Sequence, residues 1–330
     1  MAPLRRVAAI VLSFFGPPGI GQFVLGRRLR GIVWLAVPML ALLVFGFAFP
    51  SLGAAIGWTK ALGAVSFAML IAWMASFIDL LQIRDELETP VWQVLAFGVA
   101  GFALPLAISV VVRAAVLDSF VIPTSSMEPT VLVGDHIFAG KSSRAPRYGE
   151  VVVFESPEHA DQLLVKRVIA LPGDSLEVRN GHPFIDGWVV PSCALGTVTL
   201  GGSTGALEVE FLGDASYLVF YDSTPAPVHA GPLYAAKDGV LVLGDNRNNS
   251  ADSRSWFAGR DGNVHTSALR GHALFVWART SPDDDAHFGI DLSTPILPTA
   301  LAAVRPELAK CLASRPSETT PSAHATASAR

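Results

Sequence analysis

The sequence predicts an N-terminal α-helical membrane module followed by an all-β domain, of sandwich or partly open barrel type, that carries an inserted β subdomain. Three observations lead there. Of the 330 residues, 51% are hydrophobic and only 16% charged, where a soluble domain carries about a quarter charged residues. The apolar excess sits before residue 118. From about Phe120 to Arg279 the pattern changes to short runs rich in Val, Leu, Ile and Phe, broken by Gly, Pro, Asn and Asp, as strands and turns require. The expected boundaries are a membrane module over 1–118, a β-rich domain over 119–282 with its inserted subdomain over about 181–238, and a C-terminal extension over 283–330.

A membrane-spanning helix needs about 20 apolar residues. Ile32 to Leu52, Ala64 to Leu81 and Val91 to Leu117 supply them. The earlier run Val7 to Leu25 is interrupted by Gly16-Pro17-Pro18-Gly19 and reads as a re-entrant or interfacial segment, a true span being the alternative. It does not read as a cleavable signal peptide, because no small-residue cleavage site follows and more apolar chain does. Arg5, Arg6, Arg27, Arg28 and Arg30 precede the first clear span, and the positive-inside rule assigns them to the cytoplasm. Three spans then carry everything after Asp118 to the extracytoplasmic, or periplasmic, face of a cell (inner) membrane. If the first run also spans, the N-terminus changes side and the β domain does not. Arg113, near the outer end of the last span, reads as a side chain snorkelling to the interface.

Strands are expected at Val151 to Phe154, Val165 to Ala170, Val189-Val190, Leu207 to Phe211, Tyr217 to Phe220, Val240 to Leu243 and Ala273 to Trp277. Ser314 to Arg330 lacks large apolar residues and is expected to be disordered. Asp283-Asp284-Asp285 reads as a solvated loop. Two cysteines, Cys193 and Cys311, are too few for a disulfide framework, and the sequence leaves open whether they bond. A net charge of -4 gives no reason to expect a nucleic-acid partner.

The polar segments around Ser126-Met127, Lys166-Arg167 and Gly244 to Arg254 carry the chemistry. A serine attacks a carbonyl only if something takes its proton. Ser126 lies between Pro123 and Pro129, so its segment cannot be a continuous helix and is expected to turn and present a side chain. On a strand, side chains alternate between faces, so Lys166 shares an apolar face with Leu164 and Val168. Burial there disfavours the ammonium, and a neutral lysine can accept the serine proton and later hand it to the leaving amine. Arg167 points the other way, in a structural role. Taken alone, a serine in a Thr-Ser-Ser turn is ordinarily a turn or capping hydroxyl, and a strand lysine ordinarily carries its head to water. His136, His159, His182, His229, His265, His272 and His287 are competing bases. None has the close spacing of a metal-binding motif, and a Ser-His-Asp arrangement stays open because geometry decides it.

Four boxes occur in order: Ile122-Pro123-Thr124-Ser125-Ser126-Met127-Glu128-Pro129-Thr130-Val131; Gly134-Asp135 with Gly149-Glu150-Val151-Val152-Val153-Phe154; Val165 to Asp174; and Gly244 to Arg254, followed by Trp256. From about Phe120 to Trp277 the chain thereby resembles the bacterial type I signal peptidases (leader peptidases), which are Ser-Lys endopeptidases. The resemblance implies that Ser126, immediately before the Met, is the nucleophile and Lys166 the general base. It implies that the Thr124 hydroxyl, where many relatives carry Ser, joins the Ser126 N–H in stabilising the oxyanion. By the same likeness, the Ser250 hydroxyl helps fix the lysine. Asp245, Arg247, Asp252 and Arg254 would form a bracing ion-pair lattice, with Asp252 and Arg254 as the expected pair.

The same resemblance implies removal of N-terminal signal peptides from secreted preproteins, with small residues preferred at the first and third positions before the cut. The scissile segment is expected to bind extended, along Phe120, Val121 and Ile122 and along Leu163, Leu164 and Val165, with Leu132 and Phe138 as further apolar candidates. Ordinary core is the competing reading of these side chains. Secretory preproteins and the lipid bilayer are the expected partners, and no metal or organic cofactor is implied. The multi-span N-terminus departs from the one or two anchors common in the family, which leaves room for a further partner that the sequence does not name. Two alternatives stand beside this reading: a dedicated processor of one substrate class, such as pilus or conjugation proteins, and an inactive membrane-anchored binding protein of the same fold.

Overall fold

The structure, a computed structural model, describes residues 2–84, 87–141, 144–223, 230–279, 289 and 291–321. The chain divides into two compact units, Met1–Val116 and Leu117–Arg330. The first unit contains helices α1 (Ala2–Phe15), α2 (Ile20–Val24), α3 (Arg28–Ile56), α4 (Trp58–Gln82) and α5 (Val91–Ala115). Three of them, α3, α4 and α5, are long and apolar enough to cross a membrane. Large apolar side chains such as Leu40, Phe67 and Phe102 are exposed on them. The last helix ends at Ala115, two residues before the expected Leu117, which instead opens the first strand.

The interrupted run Val7 to Leu25 forms α1 and α2. At 14 and 5 residues, these are about 21 Å and 8 Å long, short of the hydrocarbon thickness of about 30 Å. Between them the chain turns at Gly19, whose φ is 88°. A Cβ there would lie 2.1 Å from the Gly31 carbonyl oxygen, so only glycine fits. All five residues of α2 are buried. The Gln22 amide donates to the Ser76 carbonyl at 2.6 Å, and the Trp34 indole N–H donates to Asp79 at 2.9 Å. Polar groups among apolar helices need such partners, because an unpaired one costs several kcal/mol.

The second unit contains strands β1 (Leu117–Val121), β2 (Asp135–Gly140), β3 (Val151–Glu155), β4 (Leu163–Ala170), β5 (Ser175–Arg179), β6 (His182–Ile185), β7 (Trp188–Val189), β8 (Ser192–Leu200), β9 (Ser203–Leu212), β10 (Ala215–Asp222), β11 (Ala230–Tyr234), β12 (Gly239–Leu243), β13 (Asn263–His265) and β14 (Leu269–Arg279), then helix α6 (Arg305–Ala313). Seven strands form an antiparallel sheet in the order β1-β2-β14-β3-β4-β12-β13. Because β4 and β12 are neighbours in it, the chain between them is an excursion. That excursion folds as two smaller sheets, β10-β9-β8 and β11-β5-β6-β7. It leaves the main sheet after Ala170, ahead of the expected residue 181. The early strand β5, Ser-Leu-Glu-Val-Arg, buries only Leu176 and Val178, and two apolar residues are too few to stand out by alternation.

One core joins the main sheet to the excursion through Tyr148, Ile169, Leu212, Tyr217, Leu241 and Leu243. A second packs Ile122, Met127, Val131, Ile137, Val153 and Val276 beneath the Ser126 segment. A third joins Val209, Phe211 and Phe220 of the β8–β10 sheet to Leu297, Leu301 and Leu308 of the C-terminal extension. A Cys193–Cys311 disulfide covalently closes that packing. The tail after residue 314 is not disordered as far as it is described. Arg315 donates to the Gly213 carbonyl at 2.7 Å and the Ser216 hydroxyl at 2.8 Å, and the Gly213 N–H donates to the Thr319 carbonyl at 2.7 Å. Composition misses this because a guanidinium that captures turn carbonyls needs no apolar residues. Residues 322–330, Asp283–Asp285, His229 and His287 lie outside the described residues.

Candidate active site

Ser126 is presented by a short turn between two anchors. Thr124 is extended, with φ −130° and ψ 155°, and Ser125–Met127 make one 3₁₀ turn. Met127 and Val131 are fully buried in the core beneath. Across from this turn, the Gly244–Arg254 loop leaves β12 and grips it. Asn246 donates its backbone N–H to the Ser126 carbonyl at 3.1 Å and its side-chain amide to the Ser125 carbonyl at 3.2 Å. The Asn249 amide donates to the Ser125 hydroxyl at 2.9 Å. The nucleophile candidate is therefore held by its backbone, and none of these bonds engages its own hydroxyl.

Lys166 comes from β4, opposite Val152 of β3. Its amine donates to the Ser126 hydroxyl oxygen at 2.6 Å, and the Thr124 hydroxyl lies 3.2 Å from the same oxygen. The residue is 3% exposed. Burial lowers its pKa from 10.5 to about 8, against the opposing pull of the Asp252 and Asp245 carboxylates. Half of the amine is therefore neutral near that pH, which makes it a base.

Three bidentate ion pairs surround this contact in place of one alternating lattice. Arg167, fully buried, forks onto Asp245 at 2.8 and 2.6 Å and stacks on Tyr217 with its guanidinium carbon 3.9 Å from the ring centre. Thr130 donates its hydroxyl proton to the same carboxylate. Arg254 forks onto Asp252, with both contacts at 2.8 Å, and the Gly244 N–H reaches Asp252 at 3.0 Å. Burial alone would raise the Asp252 carboxyl. Arg254, the Gly244 N–H and the nearby Ser250 hydroxyl outweigh it and hold the group below its ordinary value. Arg247 forks onto Glu210 of β9, one contact at 2.6 Å, with both side chains out of reach of solvent.

Ser126, Lys166 and Thr124 are thus brought within hydrogen-bond distance of one another. Ser250 is close without joining them. Its hydroxyl is buried with no well-formed hydrogen bond among the described residues, so it does not hold the lysine in this conformation. Gly244 separates it from the turn: a Cβ there would lie 2.2 Å from the Ser250 hydroxyl and 2.5 Å from the Ser126 carbonyl. Among the apolar candidates, Val121 and Leu163 are exposed, while Phe120 and Val165 are half-buried against the core and Leu164 packs beside Val168. Ile122 is 3% exposed in the core, and its N–H and carbonyl are taken by Asp135 and Gly134. The β4 edge beside Leu163–Val165 pairs with β3, while β12 meets β4 only from Arg167 onward. No strand covers the other edge there among the described residues.

Sequence reasoning did not single out Asn246, Asn249, Thr130 or Glu210. The asparagines lie inside the recognised run, and their paired donor and acceptor groups beside a serine turn were the available signal. Glu210 had none, since its partner is set by strand register. No histidine is hydrogen-bonded to Ser126 among the described residues. His182 lies against Tyr221 and Glu208, His265 against Asp238, His272 against Glu150 and His136 against Trp277.

The signal peptidase, peptidase S26, family matches residues 94–278, more than half of the chain. Over 195 residues the chain is 31% identical to a probable signal peptidase I-1 of Synechocystis sp., covering 56% of this chain and 83% of that protein. It is 33% identical over 162 residues to a probable signal peptidase I-2 of the same organism, covering 47% of this chain and 61% of the relative. With the signal peptidase I of Pseudomonas aeruginosa it shares 31% identity over 170 residues, 46% of this chain and 59% of that one. The chain belongs to the signal peptidase family, peptidase S26, and is a serine endopeptidase of the type I kind.

Proposed function

We propose that this protein is a multi-pass membrane endopeptidase that removes signal peptides from secretory preproteins through a Ser126–Lys166 dyad. The observation that carries the reading is the 2.6 Å contact between a buried lysine amine and the Ser126 hydroxyl. Neutral Lys166 takes the hydroxyl proton as the Ser126 oxygen attacks the scissile carbonyl carbon. The resulting oxyanion accepts from the Ser126 N–H and the Thr124 hydroxyl. Collapse breaks the C–N bond, and Lys166 returns its proton to the leaving amine, which releases the mature protein. A water then gives its proton to Lys166 as it attacks the ester carbonyl carbon. The bond from that carbon to the Ser126 oxygen breaks, Lys166 returns the proton to that oxygen, and the signal peptide leaves with a new carboxylate.

The uncovered β4 edge at Leu163–Val165 suits an extended peptide that adds as a strand. Small residues before the cut would suit a strand laid beside the exposed side chains of Val121 and Leu163. The basic cluster Arg5, Arg6, Arg27, Arg28 and Arg30 favours an orientation with the second unit outside the cytoplasm. The Cys193–Cys311 disulfide agrees with it, since such bonds persist in oxidising compartments. Tethering to the bilayer would raise the effective concentration of membrane-bound preproteins. The test is cleavage of a preprotein bearing Ala-x-Ala before its cut, by the full chain in detergent, with the product mapped by mass. Wild type is expected to produce the mature N-terminus and Ser126→Ala none. Equal cleavage by both would overturn the nucleophile, and no cleavage by either would overturn the substrate class.

A further inference from the structure

The C-terminal segment 291–321 is tied to the candidate active site at two places. At its start, the Leu292 carbonyl accepts from Arg167 at 3.3 Å. Arg167 directly follows Lys166 and forks onto Asp245. Further on, Leu297, Leu301 and Leu308 pack on the β8–β10 sheet, the Ser293 carbonyl accepts the Ser216 N–H at 3.0 Å, and Cys311 bonds covalently to Cys193.

Cys193 sits where β8 meets the ion-pair framework. In the β8–β9 register Cys193 faces Val209 and Ser192 faces Glu210. Glu210 is the buried partner of Arg247, whose Nε donates to the Gly244 carbonyl at 3.2 Å. On the next strand, the Phe220 N–H donates to the Asp245 carbonyl and the Phe220 carbonyl accepts from the Arg247 N–H, both at 2.9 Å. Asn246, between those two residues, holds the Ser126 carbonyl. The sheet that the disulfide closes is therefore the surface against which the Gly244–Arg254 loop is shaped.

We propose that the Cys193–Cys311 disulfide and the segment it fastens position the Ser126–Lys166 pair, so that the oxidised chain cleaves faster than the chain reduced by a dithiol. In the reducing step a reagent thiolate attacks one sulfur of the bond, and the mixed disulfide is resolved by the reagent's second thiol. Two electrons and two protons pass to the protein, leaving thiols on Cys193 and Cys311 and a cyclic disulfide on the reagent. Opening the bond frees α6 from β8, loosens the β8–β10 sheet and removes the support behind both Glu210–Arg247 and Arg167–Asp245. The dyad contact then spends more time out of reach. Strand β4, whose uncovered edge takes the extended peptide, stays paired with β3 along its other edge, so substrate binding is retained. This inference rests on the dyad reading above.

The test is steady-state cleavage of the same preprotein by the full chain before and after dithiothreitol, with free thiols counted and far-ultraviolet circular dichroism recorded on the same samples. Once both thiols are free, kcat is expected to fall by about tenfold or more, in line with the sensitivity of catalysis to small misplacements. KM is expected to be little changed, and reoxidation to restore the rate. The Cys193→Ser/Cys311→Ser variant should match the reduced wild type and ignore dithiothreitol. An unchanged kcat with both thiols titrated would overturn the proposal. A spectrum showing global unfolding on reduction would do so as well, making the bond a staple of the fold alone. Inactivity of the oxidised wild type, or full activity of Ser126→Ala, would instead strike the dyad reading.

Discussion

Replacing Lys166 by Met should make the protein more stable as well as inactive, by an amount that depends on pH. Burial lowers the lysine from 10.5 to about 8 in the fold, and a depression of that size corresponds to about 3 kcal/mol. Between those values the unfolded chain holds a proton that the folded chain has released, so wild-type stability rises with pH through that window. Below pH 8 both states are protonated, and the wild type bears the full cost of a buried ammonium, about 3 kcal/mol. Methionine, of similar length on the face shared with Leu164 and Val168, carries no such cost. The stability margin of Lys166→Met over wild type should be largest near neutral pH and shrink by about 3 kcal/mol toward pH 10.5. Urea unfolding of the full chain in detergent, followed by near-ultraviolet circular dichroism at several pH values, reads this difference. Other titrations cancel between two proteins that differ at one residue. A margin that does not change with pH would refute the depressed lysine.

Asp245→Asn leaves the buried Arg167 guanidinium without its counter-charge and should lower stability by about 3 kcal/mol or more, read by urea unfolding. Glu210→Gln does the same to Arg247 and is expected to cost a similar amount by the same measurement. Gly244→Ala would force a Cβ to within 2.2 Å of the Ser250 hydroxyl and 2.5 Å of the Ser126 carbonyl. The resulting shift of the nucleophile turn should slow preprotein cleavage by about a hundredfold, while the circular dichroism spectrum stays that of the wild type.

The strands that the sequence announced are those with a run of buried apolar residues. β3 buries Val151, Val152, Val153 and Phe154, and β12 buries all five of its residues. β8 escaped notice because Ser, Thr, Gly and Ala fill most of its nine positions. β1 escaped because Leu117 continues the apolar run of α5. At the site, Ser126 and Lys166 were legible because the boxes around them are specific and because a strand lysine between Leu164 and Val168 had an apolar face to enter. Asp252 and Arg254 pair locally, two residues apart, and were equally legible. Arg167–Asp245 and Glu210–Arg247 were not. Each joins elements that only the sheet order brings together, and Glu210 lies in a stretch with no motif of its own. Cys193 and Cys311, with a sequence separation of 118, needed the packing of α6 on β8 before their pairing could be seen.

The central claim, that a buried neutral Lys166 takes the Ser126 proton, is tested most directly by the pH dependence of kcat/KM for preprotein cleavage. Wild type and Lys166→Ala would be measured side by side. The wild-type rate is expected to rise with pH through a single ionisation near 8, the value burial imposes on Lys166, and the variant to show no measurable cleavage across the range. A wild-type limb near about 6.5, the ordinary range of histidine, or a variant that keeps cleaving, would contradict it.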